Sequence, residues 1–143
     1  MRQLQDYVRY QTIMRCILPS MATACVKPVL LCVDDNRTAL HVRQLVLESV
    51  GYSVLVASDS AAAMGIFSSS AIDMVVSDHF LQDGTGIELA TAMKKLKPDV
   101  PIVIISGLVD APEGMEHADL FICKGASPPE ILQKISKLFK SRN

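Results

Sequence analysis

The chain has 143 residues, half of them apolar and a fifth charged, with a formal net charge of −1 at pH 7. That is about one domain's length and the composition of a compact globular protein with room for a real core. The near-neutral balance argues against a nucleic-acid binder or a membrane-surface protein, and no apolar run reaches the ~18 residues a membrane helix needs.

The charge is unevenly spread. Residues 1–28 carry Arg2, Arg9, Arg15 and Lys27 against Asp6, a net of +3, which leaves −4 for the remainder. Residues 1–27 read as a loosely ordered N-terminal tail ahead of a domain over 28–141. The apolar segment before Cys25 is short and broken by Arg15 and Pro19, which argues against a secretion signal. The four cysteines include no CxxC pair, and no Cys/His spacing suggests zinc. Cys32 and Cys123 lie in apolar runs and read as small buried hydrophobes of a reducing, cytoplasmic compartment. His41, His79 and His117 are far apart and read as unrelated surface or structural residues.

From Val29 onward strand and helix signals alternate. Val29–Val33 is an apolar run of strand length that ends in Asp34-Asp35. Asn36 is a good N-cap, and Arg37 to Val50 reads as a helix with Ala39, Val42, Val46 and Val50 on one face and Gly51 at the stop. Tyr52–Ala57 is the second strand. Ser58 or Ser60 can cap a helix running to about Phe67. Asp73–Asp78 is the third strand, Gly86–Leu96 a helix, and Ile102–Ser106 a β-branched fourth strand. Val109–His117 is a weak helix interrupted by Pro112 and Gly114, and Asp119–Lys124 is the fifth strand. Ser127-Pro-Pro-Glu130 opens the last helix as a capping box with proline at the first helical position. Short, almost wholly apolar strands alternating with helices predict a doubly wound five-stranded parallel sheet with five helices.

In such a fold ligands gather beyond the carboxyl ends of the strands. Those ends carry the polar residues here: Asp34-Asp35, Asp78, Ser106-Gly107 and Lys124-Gly125. Each alone is ordinary punctuation, since Asp commonly ends a strand and Ser-Gly or Lys-Gly commonly opens a loop. Together they would set three carboxylates, a hydroxyl and an ammonium on one edge. Three close carboxylates repel unless a cation neutralises them, and a hard divalent ion with oxygen ligands, Mg2+, suits the donor set.

In combination, VDDN at 33–36, SDHFLQDGTG at 77–86, ISG at 105–107 and FICKG at 121–125 resemble the receiver domain of two-component response regulators. The resemblance covers about residues 28–141 and implies a flavodoxin-like, CheY-like fold. It implies a single-domain response regulator, not an enzyme, that takes a phosphoryl group from a sensor histidine kinase or histidine phosphotransfer protein and acts through a further protein partner. By that likeness Asp78 is the phosphoacceptor. Asp34, Asp35, Asp78 and the backbone carbonyl of Phe80 hold Mg2+, Ser106 and Lys124 bind the phosphoryl oxygens, and Ser106 with Phe121 forms the switch. Leu108, Val109, Phe121 and the last helix are the expected output face. The pattern departs from the family at Gln82, where proline is usual, at Thr85, often Asp, and at Gly125, which replaces a proline. Bulky Phe80 and Leu108 imply slow self-dephosphorylation. A phosphorylation-independent receiver-like scaffold and a phosphatase with an aspartyl nucleophile are the alternatives.

Overall fold

The computed structural model describes residues 27–142 and Gln5. The expected tail, residues 1–27, thus lies outside the described residues apart from Gln5 and Lys27, as do Cys16 and Cys25.

Five strands form one parallel sheet: β1 (Val29–Val33), β2 (Ser53–Ala57), β3 (Met74–Asp78), β6 (Ile102–Ser106) and β7 (Leu120–Cys123), in the order β2-β1-β3-β6-β7. Every residue of β3 and β6 is buried, as is all of β1 after Val29, because helices cover both faces. α1 (Arg37–Ser49) and α4 (Pro128–Arg142) cover one face, over a core that includes Leu30, Val76, Ile105 and Ile135. α2 (Ser60–Ser69) and α3 (Gly86–Leu96) cover the other, over Leu31, Phe67, Val75, Met93 and Ile104. From β1 the chain goes first to one neighbour, β2, and then back to the other, β3. The switch point therefore falls between the carboxyl ends of β1 and β3.

Capping follows the local chemistry. Asn36 accepts from the Ala39 amide at 3.1 Å, Thr85 from Glu88 at 3.2 Å and Ser127 from Glu130 at 3.4 Å. At α2 the cap is neither Ser58 nor Ser60 but Asp59, whose carboxylate accepts from the Ala62 amide at 2.7 Å. An anion at a helix N-terminus gains from both the hydrogen bond and the helix dipole.

Three features differ from expectation. The crossover from β6 to β7 is not a helix over 109–117 but a loop with one 3-10 turn, Met115–His117. Gly114 has φ +88°, outside the helical region, and Pro112 lacks the amide a helix interior uses. The described residues therefore hold four α-helices rather than five. A small antiparallel hairpin, β4 (Phe80–Leu81) with β5 (Gly84–Thr85), occupies the turn after Asp78. The inner face of α1 is Leu40 and Leu47, whereas Val42 is 53% exposed. His79, read from the sequence as surface or structural, is buried.

Two tight points hold the strand ends. At Gly86 the start of α3 crosses the end of β3, and a Cβ there would lie 2.6 Å from the Asp78 carbonyl oxygen. At the opposite end of the sheet Asp119 accepts from the Ile102 amide and Lys94, both at 2.7 Å, and pairs with Arg142. Burial pushes the Asp119 carboxyl up, but the Lys94 hydrogen bond, the Ile102 amide and the charges of Lys94 and Arg142 outweigh it, so its pKa lies below the usual range.

Gly86→Ala should cost about 2 kcal/mol in urea unfolding, because the Cβ meets backbone rather than a movable side chain. An unchanged midpoint would contradict the close approach. A carboxyl with a depressed folded-state pKa stabilises above its unfolded value and loses that contribution as pH falls through the folded one. Asp119→Asn should therefore lose about 1–2 kcal/mol at pH 7, allowing for solvent screening of a part-exposed pair. The gap between variant and wild type should close below about pH 4, and a pH-independent gap would refute the ionic role.

Candidate functional site at the carboxyl edge of the sheet

Strand register places the polar residues. Val33 pairs with Ser77, Asp78 with Ile105, and Ser106 with Cys123, so the ends of β1, β3, β6 and β7 lie side by side. Asp34 and Asp35 leave β1, Asp78 ends β3, Ser106 ends β6 and Lys124 follows β7. The Lys124 amide donates to the Ser106 carbonyl at 2.7 Å and holds the last loop against β6.

The carboxylates converge. One oxygen each of Asp34, Asp35 and Asp78 lies within 4.8 Å of the others. Asp34 and Asp78 are buried and Asp35 half-buried. Asp78 Oδ2 pairs with the largely exposed Lys124 ammonium at 3.1 Å. Asp78 Oδ1 is buried and has no hydrogen-bond partner. A buried carboxylate oxygen without a partner is costly, so this atom suits a positive or electrophilic group. With two more carboxylates beside it, the donor set fits a hard divalent cation such as Mg2+.

The turn after Asp78 is closely tied down. The His79 amide donates to the Ile105 carbonyl at 2.9 Å, and the Gly86 amide to the His79 carbonyl at 2.6 Å. Asp83, at the tip of the β4–β5 hairpin, accepts from the Ser60 amide at 3.0 Å and the Ala61 amide at 3.3 Å. The Ser60 hydrogen bond above all, with smaller help from Ala61, outweighs desolvation and holds the exposed Asp83 carboxyl below its usual range. Phe80 is 55% exposed, its ring edge-on to His79 at 4.7 Å. The Ser106 hydroxyl is buried and accepts from the Leu108 amide at 3.2 Å, which leaves its proton free to donate. Phe121 is half-buried against the core under α2 and α3, apart from the carboxylate cluster. Leu108 and Val109 are exposed on the β6–β7 loop.

Asp34, Asp35, Asp78, Ser106 and Lys124 are thus gathered on one edge, with the backbone of Phe80 in the adjoining hairpin. Three neighbours were not singled out from the sequence. Arg43 stands 3.5 Å from Asp34 Oδ2, His79 is buried with its Nδ1 unpartnered, and Asp83 clamps the hairpin to α2. For Asp83 a signal existed in its two-residue spacing from Leu81 to Gly84. For Arg43 the signal was its place between Leu40 and Leu47.

Comparison with known proteins agrees with this fold. The chain is 31% identical over 121 residues to a probable transcriptional regulator, ycf27, of Cyanidium caldarium, covering 80% of this chain and 48% of that protein. It is 28% identical to the phosphate regulon regulator PhoB of Pseudomonas aeruginosa, over 80% of this chain and 53% of that one. The chain spans about half or less of the length of the curated relatives it matches. Among solved structures, a CheY-like receiver domain protein of Methanospirillum hungatei superposes with a TM-score of 0.76 at 24% identity, over 82% of this chain and 97% of that one. The response regulator TrrA of Thermotoga maritima, in complex with Mg2+-BeF, gives 0.74 at 25% identity, over 78% and 98%. The response regulator receiver domain family matches residues 30–136, from the second residue of β1 into α4, and the chain belongs to that family.

Proposed function

We propose that Asp78 accepts a phosphoryl group from the phosphohistidine of a sensor histidine kinase or histidine phosphotransfer protein, and that the acyl phosphate changes which protein the domain binds. The observation that carries this reading is Asp78 Oδ1, a buried carboxylate oxygen without a partner, between two further carboxylates and a lysine. Receiver domains are in general signalling modules rather than enzymes, and Phe80 offers no acid or base two residues after Asp78 for a phosphatase. Among the described residues no helix is long and apolar enough to cross a membrane, and we place the domain in the cytoplasm, where kinases of this class present their phosphohistidine.

In the proposed transfer Asp78 Oδ1 attacks phosphorus in line with the P–N bond. That bond breaks, and its electron pair returns to the histidine nitrogen. Asp35, Asp78, Asp34 and the Phe80 carbonyl would hold Mg2+, whose chemistry is to neutralise charge on the phosphoryl oxygens. Lys124, now paired with Asp78 Oδ2, is placed to pair with a second phosphoryl oxygen, and Ser106 has a free hydroxyl proton for a third. A shift of Ser106 toward the phosphoryl group would pull the β6–β7 loop, and Phe121 would follow into the space it vacates. The exposed Leu108 and Val109, with α4, make the proposed partner face.

Incubation with Mg2+ and a small phosphodonor should add one phosphate-sized increment to the intact mass, absent in Asp78→Asn. A gain that survives that substitution would move the acceptor elsewhere. Phe80 and Leu108 border the site and limit water's approach, so self-dephosphorylation should be slow. Phe80→Gln should shorten the acyl-phosphate lifetime several-fold in a phosphate-release assay, and an unchanged, short lifetime would remove Phe80 from this role.

A further inference from the structure

α1 turns an arginine toward the core. Leu40, Arg43 and Leu47 follow i, i+3, i+7 spacing, one stripe of a helix. Leu40 and Leu47 are buried against the sheet, and the Arg43 side chain between them is only 13% exposed. An internal guanidinium is costly unless its charge is used. Its ion-pair partner is Asp34, whose side chain is fully buried, with Arg43 NH1 3.5 Å from Oδ2. The other oxygen, Oδ1, accepts from the Asn36 amide at 2.9 Å. Both oxygens of Asp34 are therefore engaged from within the chain, whereas Asp78 Oδ1 is bare. The Arg43 charge is also felt at the Cys32 thiol of β1. Burial pushes Cys32 up to about 12, against the pull of Arg43.

We propose that Arg43 is a built-in counter-ion that occupies Asp34 and weakens divalent cation binding at the carboxylate cluster. This rests on the reading of the cluster as a Mg2+ site. A guanidinium and a divalent ion around one carboxylate repel each other, so a cation must share or displace Arg43. Without a cation, Arg43 and Lys124 offset two of the three negative charges and keep the apo site folded. The division of labour is specific: Asp78 and Asp35 remain the oxygens open to a cation, and Asp34 is held back by α1. Arg43 acts through Asp34 and is a positioning residue.

The test is calorimetric titration of purified wild type, Arg43→Met, Arg43→Gln and Arg43→Lys with Mg2+, together with the Mg2+-induced shift of Tm. Methionine fills the apolar stripe without charge, and glutamine serves if the methionine variant does not fold. Both neutral variants should bind Mg2+ about tenfold more tightly than wild type, and Mg2+ should raise their Tm by more. Arg43→Lys should stay close to wild type, which separates charge from packing. Mg2+ binding that is unchanged or weaker in the neutral variants, with wild type binding normally, overturns the role of Arg43 and leaves the cation site standing. No Mg2+ binding by any of the four proteins overturns both.

Discussion

Carboxylates confined to one edge of a parallel sheet repel one another, and the rest of this site is arranged around that repulsion. At the separations seen for Asp34, Asp35 and Asp78, each pair opposes folding by about 3 kcal/mol at an effective dielectric of 20. Three pairs approach the whole net stability of an ordinary domain, about 5–15 kcal/mol. Solvent around the half-buried Asp35 lowers its share, but Asp34 and Asp78 have no such relief. The protein meets the cost with two cations from opposite directions, Lys124 from beyond β7 and Arg43 from under α1. One negative charge is left over, and with it one bare oxygen, Asp78 Oδ1. Among the carboxylate oxygens of Asp34 and Asp78, that one alone is claimed by no group of the described residues.

Much of this was legible from the strands. In a parallel sheet covered on both faces, strands are unbroken apolar runs, so their carboxyl ends are sharp in the sequence. Asp34, Asp78 and Ser106 each sit where such a run stops. The order of the strands then brings Asp34 and Asp78 together, because β1 and β3 pair at the switch point. Helix faces were less legible. Ala39, Val42, Val46 and Val50 mimic an apolar stripe, yet the true one runs through Leu40 and Leu47 with Arg43 in its middle. The charge that disguised that face is the one that matters to Asp34. The missing helix between β6 and β7 was signalled by Pro112 and Gly114, and the positive φ of Gly114 decides the matter.

In the turn after Asp78, Gln82 stands where the family pattern has a proline. A proline would stiffen the turn by fixing φ. Here stiffness comes from outside the turn instead. Asp83 reaches the α2 amides, β4 pairs with β5, and the Gly86 amide ties α3 to the His79 carbonyl. The exposed carboxylate of Asp83 works because it faces the positive end of a helix. A departure from the family pattern in one residue is thus met by contacts from three elements.

That distribution of constraints has a direction. On the β3 side, Asp78 is followed by a hairpin anchored at both its base and its tip. On the β6 side, Ser106 opens a loop with no helix, exposed Leu108 and Val109, and only a 3-10 turn before β7. Gly125, after Lys124, adds a residue with wide backbone freedom. Local stability follows packing and hydrogen bonding, so the β6–β7 side is the softer of the two. A new charge at Asp78 would move the softer side more readily than the stiffer one. On the proposed reading, the rigid hairpin holds the acceptor still while Ser106 and the loop that carries Leu108 and Val109 respond. Phe121, packed against the core under α2 and α3 rather than in the carboxylate cluster, would on that reading belong to the response and not to the chemistry.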